Sequence, residues 1–91
     1  MRGVGLSAIG VHPRISQRHP EVTPDDVIAA MRGMIRYKQR SAGEWIAVGL
    51  DGKNRLVELV YQYDEEDDFF FVFHGMTPPS SKTLRELGLE R

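Results

Sequence analysis

The groups this sequence offers for chemistry are a carboxylate, three imidazoles and several cations. Glu58 and His74 stand in two apolar runs joined by a short acidic segment. A hairpin pairing Tyr61 with Phe71 and Leu59 with Phe73 sets the two directly opposite each other, with Cβ atoms about 4.5–5.5 Å apart. A carboxylate beside an imidazole holds the ring's tautomer or stabilises its cation, which makes an acid/base pair. Cleavage of RNA through the 2′-hydroxyl needs such a pair, together with cations that stabilise charge on the phosphorane. Arg55, near Glu58 in sequence, and Lys82 and Arg85, three residues apart near the C-terminus, are candidates for the second task. The Glu58–His74 pair also reads as a polar cross-strand contact, and a register slip of one residue would dissolve it.

The early segment His12-Pro13-Arg14-Ile15-Ser16-Gln17-Arg18-His19 is basic and contains no acid. A helix there places Arg14 and Arg18 on one side, suited to phosphate, although the segment also reads as a solvated helix. Arg32, Arg36, Lys38 and Arg40 recur every second or fourth residue. Their row is either a phosphate track or a charged strand edge that blocks aggregation. Tyr37, Trp45 and Phe70 are candidates for stacking on bases or for ordinary packing. The histidines lack metal-ligand spacing and the carboxylates cluster only at 64–68, so no metal and no cofactor is expected.

Composition narrows the setting. A chain of 91 residues with 41% apolar side chains forms one domain, residues 1–91. The absence of cysteine excludes thiol catalysis, zinc-thiolate sites and a disulfide framework. No apolar run approaches the roughly 20 residues of a membrane span. The start MRGVGLSAIG lacks a leader pattern, so a cytoplasmic protein with no membrane partner is expected. The net charge of −1 conceals an asymmetry. Residues 1–40 hold seven bases and three acids, whereas residues 41–91 hold five bases and ten acids. Half of those ten are the run Asp64-Glu65-Glu66-Asp67-Asp68, and a basic working face can coexist with it because fields act over about 8 Å at physiological salt.

The elements that must position these groups read as helices first and strands afterwards. Residues 12–19 make about two helical turns, with Pro13 in the first turn and Pro20 disfavouring continuation. Thr23-Pro24-Asp25-Asp26 starts a second helix, whose stripe of Val27, Ala30, Met31 and Met34 ends near Gly33. Strands are predicted at 34–40, 44–50, 55–63 and 69–74, with 64–68 as a solvated hairpin tip, and short connections make neighbours antiparallel. Pairing Leu50 with Arg55 assigns Ile46, Val48, Leu50, Val57, Leu59, Tyr61, Tyr63, Phe69, Phe71 and Phe73 to the core face. The other face collects Trp45, Ala47, Gly49, Leu56, Glu58, Val60, Gln62, Phe70, Val72 and His74. Ser80 or Ser81 caps a short helix over 82–87 that stops at Gly88. The expected fold class is α+β: two N-terminal helices and a short C-terminal helix on a four-stranded antiparallel sheet.

Three strings carry a resemblance. His12-Pro-Arg-Ile-Ser-Gln-Arg18-His19 followed by Val22-Thr-Pro-Asp-Asp-Val27 is similar to the opening of the BrnT-like and related small toxins of the RelE/ParE superfamily. The stretch from Trp45 to Tyr61 looks like their central hairpin, and Phe71-Val-Phe-His74-Gly-Met76 sits where they have a strand running into a final helix. The resemblance spans about residues 12–88. It implies a RelE-like toxin fold, a cognate antitoxin as partner, and RNA, including messenger RNA on the ribosome, as substrate of a metal-independent endoribonuclease. ParE-like relatives instead inhibit gyrase, so a non-enzymatic protein-binding toxin and an inactive domain of the same fold are the alternatives. A homodimer stays open. Carried onto this chain, the resemblance points to Arg55, His74, Lys82 and Arg85, with His12 and Arg18 as the early match. With the pair and segment above, the candidate set is catalytic His74, Glu58 and Arg55, and RNA-binding Lys82, Arg85, His12, Arg14 and Arg18.

Overall fold

Thr23, Pro24 and Asp26 start a helix for a local reason: each end of the motif satisfies the other. In the computed structural model, which describes residues 7–90, the Thr23 hydroxyl accepts from the Asp26 N–H at 3.2 Å, and the Asp26 carboxylate accepts from the Thr23 N–H at 2.9 Å. Helix α2 (Pro24–Arg32) follows and buries Val27, Ala30 and Met31 completely. It is preceded by strand β1 (Ala8–Val11) and helix α1 (Arg14–Arg18). Strands β2 (Met34–Gln39), β3 (Trp45–Leu50), β4 (Leu56–Asp64) and β5 (Phe69–Met76) come next, and then helix α3 (Ser81–Glu86). Residues 1–6, most of the segment considered above for a leader, lie outside the described residues, as does Arg91. Among the described residues, no helix is long and apolar enough to cross a membrane.

The architecture is α+β, and the sheet differs from the expected four antiparallel strands. It has five, in the order β1-β5-β4-β3-β2. Strands β2 to β5 form the antiparallel meander, while β1 lies parallel to β5, with Val11 opposite Val72. Short connections govern only consecutive strands, and β1 takes its partner from the far end of the chain. Its four residues, interrupted by Gly10, also carry no alternation to reveal them.

The β3–β4 register is one residue away from the expected pairing. Leu50 faces Leu56, not Arg55. The Asp51 carboxylate accepts from the N–H groups of Lys53 and Arg55 at 2.8 and 2.9 Å, and Asn54 takes φ 60°, which lengthens the turn by a residue. That slip turns β3 over. Ala47, not Ile46 or Val48, shares the main core with Val57, Leu59 and Tyr61. Gly49 shows why: a Cβ there would run into the carbonyl of Ala30, so α2 rests on bare backbone. On β5, Val60 pairs with His74 but Tyr61 with Val72, leaving Phe73 as the extra residue of a β-bulge. Nearer the tip Asp64 pairs with Phe69 and not Asp68, so Phe70 and Val72 join the main core, and the expected placement of Phe69, Phe71 and Phe73 there is reversed.

The helices also divide between the two faces. Ile15 of α1 and Val27, Ala30 and Met31 of α2 cover the main core. Ile46, Val48 and Val60 form a second, smaller core on the opposite face with Leu84, Leu87 and Leu89, so α3 does not share a layer with α1 and α2. Arg36 of the edge strand β2 and Arg40 just after it hold α3 there. Arg36 donates to the Leu87 carbonyl at 3.2 Å, and Arg40 grips Glu86 with two bonds of 2.9 and 3.0 Å. This basic row thus holds the sheet edge to α3.

Candidate functional site

Glu58 and His74 meet, by a route other than the one expected. The residue opposite Glu58 is Met76, yet the Glu58 carboxylate reaches along the same face to His74, Oε2 to Nε2 at 2.8 Å. Its other oxygen accepts from the Ser80 N–H and the Ser80 hydroxyl, both at 2.9 Å. Ser80 is also the N-cap of α3, accepting from Thr83 N–H at 3.2 Å. Burial pulls this carboxyl towards protonation, but hydrogen bonds from His74, Thr83 and Ser80 outweigh it and hold the pKa at about 2. An ionised carboxylate only accepts, so Nε2 of His74 carries the proton. The Nδ1 of the ring is then the nitrogen that Glu58 does not engage.

A cleft of about 210 Å³ opens beside that ring. It is lined by Arg14, Ile15, Arg18, His19, Phe73, His74 and Gly75. The local folding of α1 supplies half of these. The His12 N–H bonds to the Val72 carbonyl at 2.9 Å, so the chain leaves β1 beside the uncovered end of β5. Ile15 then buries itself against Gly75 and Val27, which anchors the helix and leaves Arg14 and Arg18 outward. The His19 N–H closes on the Ile15 carbonyl at 2.8 Å, and Ser16 ties the next segment down through the Val22 carbonyl at 2.8 Å. His19 is thereby placed against His74, ring centroids 6.3 Å apart and planes at 89°. Glu21 stands 3.9 Å from the His19 ring. Among the described residues neither Arg14 nor Arg18 forms an ion pair.

Of the predicted site residues, the structure brings Arg14, Arg18 and His74 into one cleft and places Glu58 behind it. The others stand apart. Arg55 donates to Asp51 at 2.9 Å, to Asp26 at 3.0 Å and to the Glu21 carbonyl at 3.0 Å, so its guanidinium joins the β3–β4 turn to α2. His12 accepts from the Arg14 N–H at 3.0 Å and sets its ring edge against Phe71, outside the cleft. Lys82 and Arg85 do not line the cleft, and Arg85 faces Glu90 at 3.7 Å. Phe70 is buried, and Trp45 stacks on Tyr61 at 6.3 Å. Four lining residues have no place in the predicted set: Ile15 and Gly75, which pack α1 on β5, His19, legible as the neighbour of Arg18 in the basic segment, and Phe73, hidden by the bulge.

The acidic run makes the β4–β5 hairpin tip, beyond Phe69. Phe69 lies five residues from His74, roughly 16 Å along the strand and about twice the screening length. Asp68 is tied down at the far end by the hydroxyls of Tyr63 and Ser7 at 2.9 and 3.0 Å. The acids therefore do not fold over the cleft. Among the described residues, no group of three or more histidine, aspartate or glutamate side chains is arranged to hold a metal ion.

The chain matches no protein-family model, no curated protein and no solved structure. The reading of its function rests on this cleft.

Proposed function

We propose that this chain is a metal-independent endoribonuclease that cuts RNA at the His19–His74 cleft, acting as the toxin component of a toxin–antitoxin pair. The observation that carries the reading is the set of groups around one small cleft: two imidazoles with centroids 6.3 Å apart, one of them backed by a buried ionised carboxylate, beside Arg14 and Arg18. Nδ1 of His74 takes the proton of a ribose 2′-hydroxyl, and the 2′-oxygen attacks the adjacent phosphorus. His19 protonates the departing 5′-oxygen. The products are a 2′,3′-cyclic phosphate and a free 5′-hydroxyl. Glu58 stabilises the His74 imidazolium formed in the first step, and Arg14 and Arg18 stabilise charge on the phosphorane. Neutralisation by the cognate antitoxin requires that it close this cleft or distort it.

The test is a labelled RNA oligonucleotide incubated with the purified protein in excess chelator. Cleavage leaving cyclic phosphate ends, absent on DNA of the same sequence, is the expected result. His74→Ala and His19→Ala should each lower the rate by about 10²- to 10⁴-fold, the usual contribution of a positioned acid or base. Intact RNA with the wild-type protein, or full activity in His74→Ala, refutes the reading. Growth arrest on expression with cellular RNA intact points instead to a protein target.

A further inference from the structure

Phe73 occupies a position that the strand ladder does not explain. It is the extra residue of the β5 bulge, unpaired between Val72 and His74. It is one of the few large apolar side chains at the surface, 36% exposed, and it lines the same cleft as Arg14, Arg18 and His74. Without the bulge Phe73 would stand opposite Val60 and His74 opposite Leu59; the extra residue leaves Phe73 without a ladder partner and brings it and His74 together at the cleft. An exposed aromatic ring next to phosphate-binding guanidinium groups has the chemistry to hold an unstacked nucleobase.

Resting on the ribonuclease reading of this cleft, we infer that Phe73 is a specificity-determining residue: its ring is the platform on which a base flanking the scissile phosphate stacks. Stacking discriminates by the size of the π-face, so a purine is preferred over a pyrimidine at that position. A base held in a duplex is not free to stack on Phe73, so paired RNA is a poor substrate. The phosphate held by Arg14 and Arg18 and the base held by Phe73 together fix the nucleotide whose 2′-hydroxyl faces His74.

Oligonucleotides carrying one ribonucleotide in a deoxy chain limit cleavage to a single phosphate, and the base on either side is varied between adenine and uracil. The wild-type protein is expected to cut faster with adenine at one of the two flanking positions. Phe73→Leu should reduce kcat/KM for the adenine substrate about 5- to 150-fold, the range for removing one base–aromatic stack, and should level the preference. Phe73→Trp should restore it. A preference unchanged in Phe73→Leu, or Phe73→Trp no better than Phe73→Leu, overturns the inference while the ribonuclease reading stands. The all-deoxy adenine oligonucleotide separates the two further, because it cannot be cut. Its titration should move the Phe73 ring proton resonances upfield, and unmoved resonances at saturation count against stacking. No cleavage by the wild-type protein, with those resonances shifted, overturns the ribonuclease reading alone.

Discussion

Glu58 bonds to His74 along a diagonal of the ladder, bypassing Met76 directly across from it. The bulge at Phe73 advances β5 by one residue relative to β4, and His74 arrives opposite Val60 on the α3 face of the sheet. The carboxylate that orients the imidazole is fixed in turn by the first residue before α3. Through Ser80 the start of α3 helps to fix where the His74 ring stands.

The Glu58 carboxyl lies at about pKa 2 in the folded protein, below its ordinary value of about 4.3 when unfolded. A depressed carboxyl contributes stability that is fully present above its unfolded pKa and is lost as the pH falls through the folded one. Glu58→Gln should therefore be less stable than wild type by on the order of 3 kcal/mol at pH 6, with the gap closing between about pH 4.3 and pH 2. Urea denaturation of both proteins across that window is the measurement. A gap as wide at pH 2 as at pH 6 contradicts it.

Arg14 and Arg18 are exposed cations at the cleft, so on the proposed reading their contact with phosphate is salt-dependent. Binding of an uncleavable 2′-O-methyl RNA should weaken with salt, and each substitution to alanine should flatten the log–log slope by about 0.7, the single-strand value per phosphate contact. Lys82→Ala, outside the cleft, should leave the slope unchanged. Equal slopes in wild type and the Arg14/Arg18 double variant would remove the cleft as the phosphate site.

Arg55 is expected from sequence to grip phosphate, whereas the structure engages it with Asp51 and Asp26, two buried carboxylates. Arg55→Met should lower the urea midpoint more than Lys53→Met, because the Lys53 side chain is 58% exposed and pairs with Asp26 alone. Cleavage by the folded Arg55→Met protein should persist. A variant as stable as wild type but inactive would return Arg55 to the catalytic set.

Helix α2 lies on the backbone of Gly49, and any side chain there separates the two. Gly49→Ala should cost about 1–3 kcal/mol or more. Gly52→Ala, in the turn with nothing within 4 Å of a new Cβ, should stay within about 0.5 kcal/mol of wild type. Thermal denaturation of the two variants side by side decides this, and equal stability would mean that α2 shifts freely over the sheet.

What is legible in the sequence is what neighbouring residues decide among themselves. Thr23 and Asp26 cap each other, Ser80 caps α3, and the runs of β2 to β5 stand out by their apolar residues, so these elements are found within a residue or two. The relations between elements are not local. The turn residue added by Asp51 turns β3 over, the closure of the tip at Asp64–Phe69 turns β5 over, the bulge at Phe73 shifts its far end again, and β1 exists as a strand only because β5 offers it a ladder. The site inherits this division. Arg14, Arg18, Glu58 and His74 could be selected by residue type, but that α1 would carry two of them to the uncovered end of β5, while Arg55 turned away to Asp26, depends on packing between distant segments.

The five acids beyond Phe69 and the cations beside His74 occupy opposite ends of one strand. Charge separated in this way gives the molecule an electric dipole along β5 larger than a net charge of −1 suggests. In the field of a polyanion that dipole exerts a torque that swings the hairpin tip outward and brings the cleft round to lead the approach. On the ribonuclease reading the acidic run would act as a rudder for encounter with RNA, and the fraction of collisions that arrive cleft first would fall as salt shortens the reach of the field.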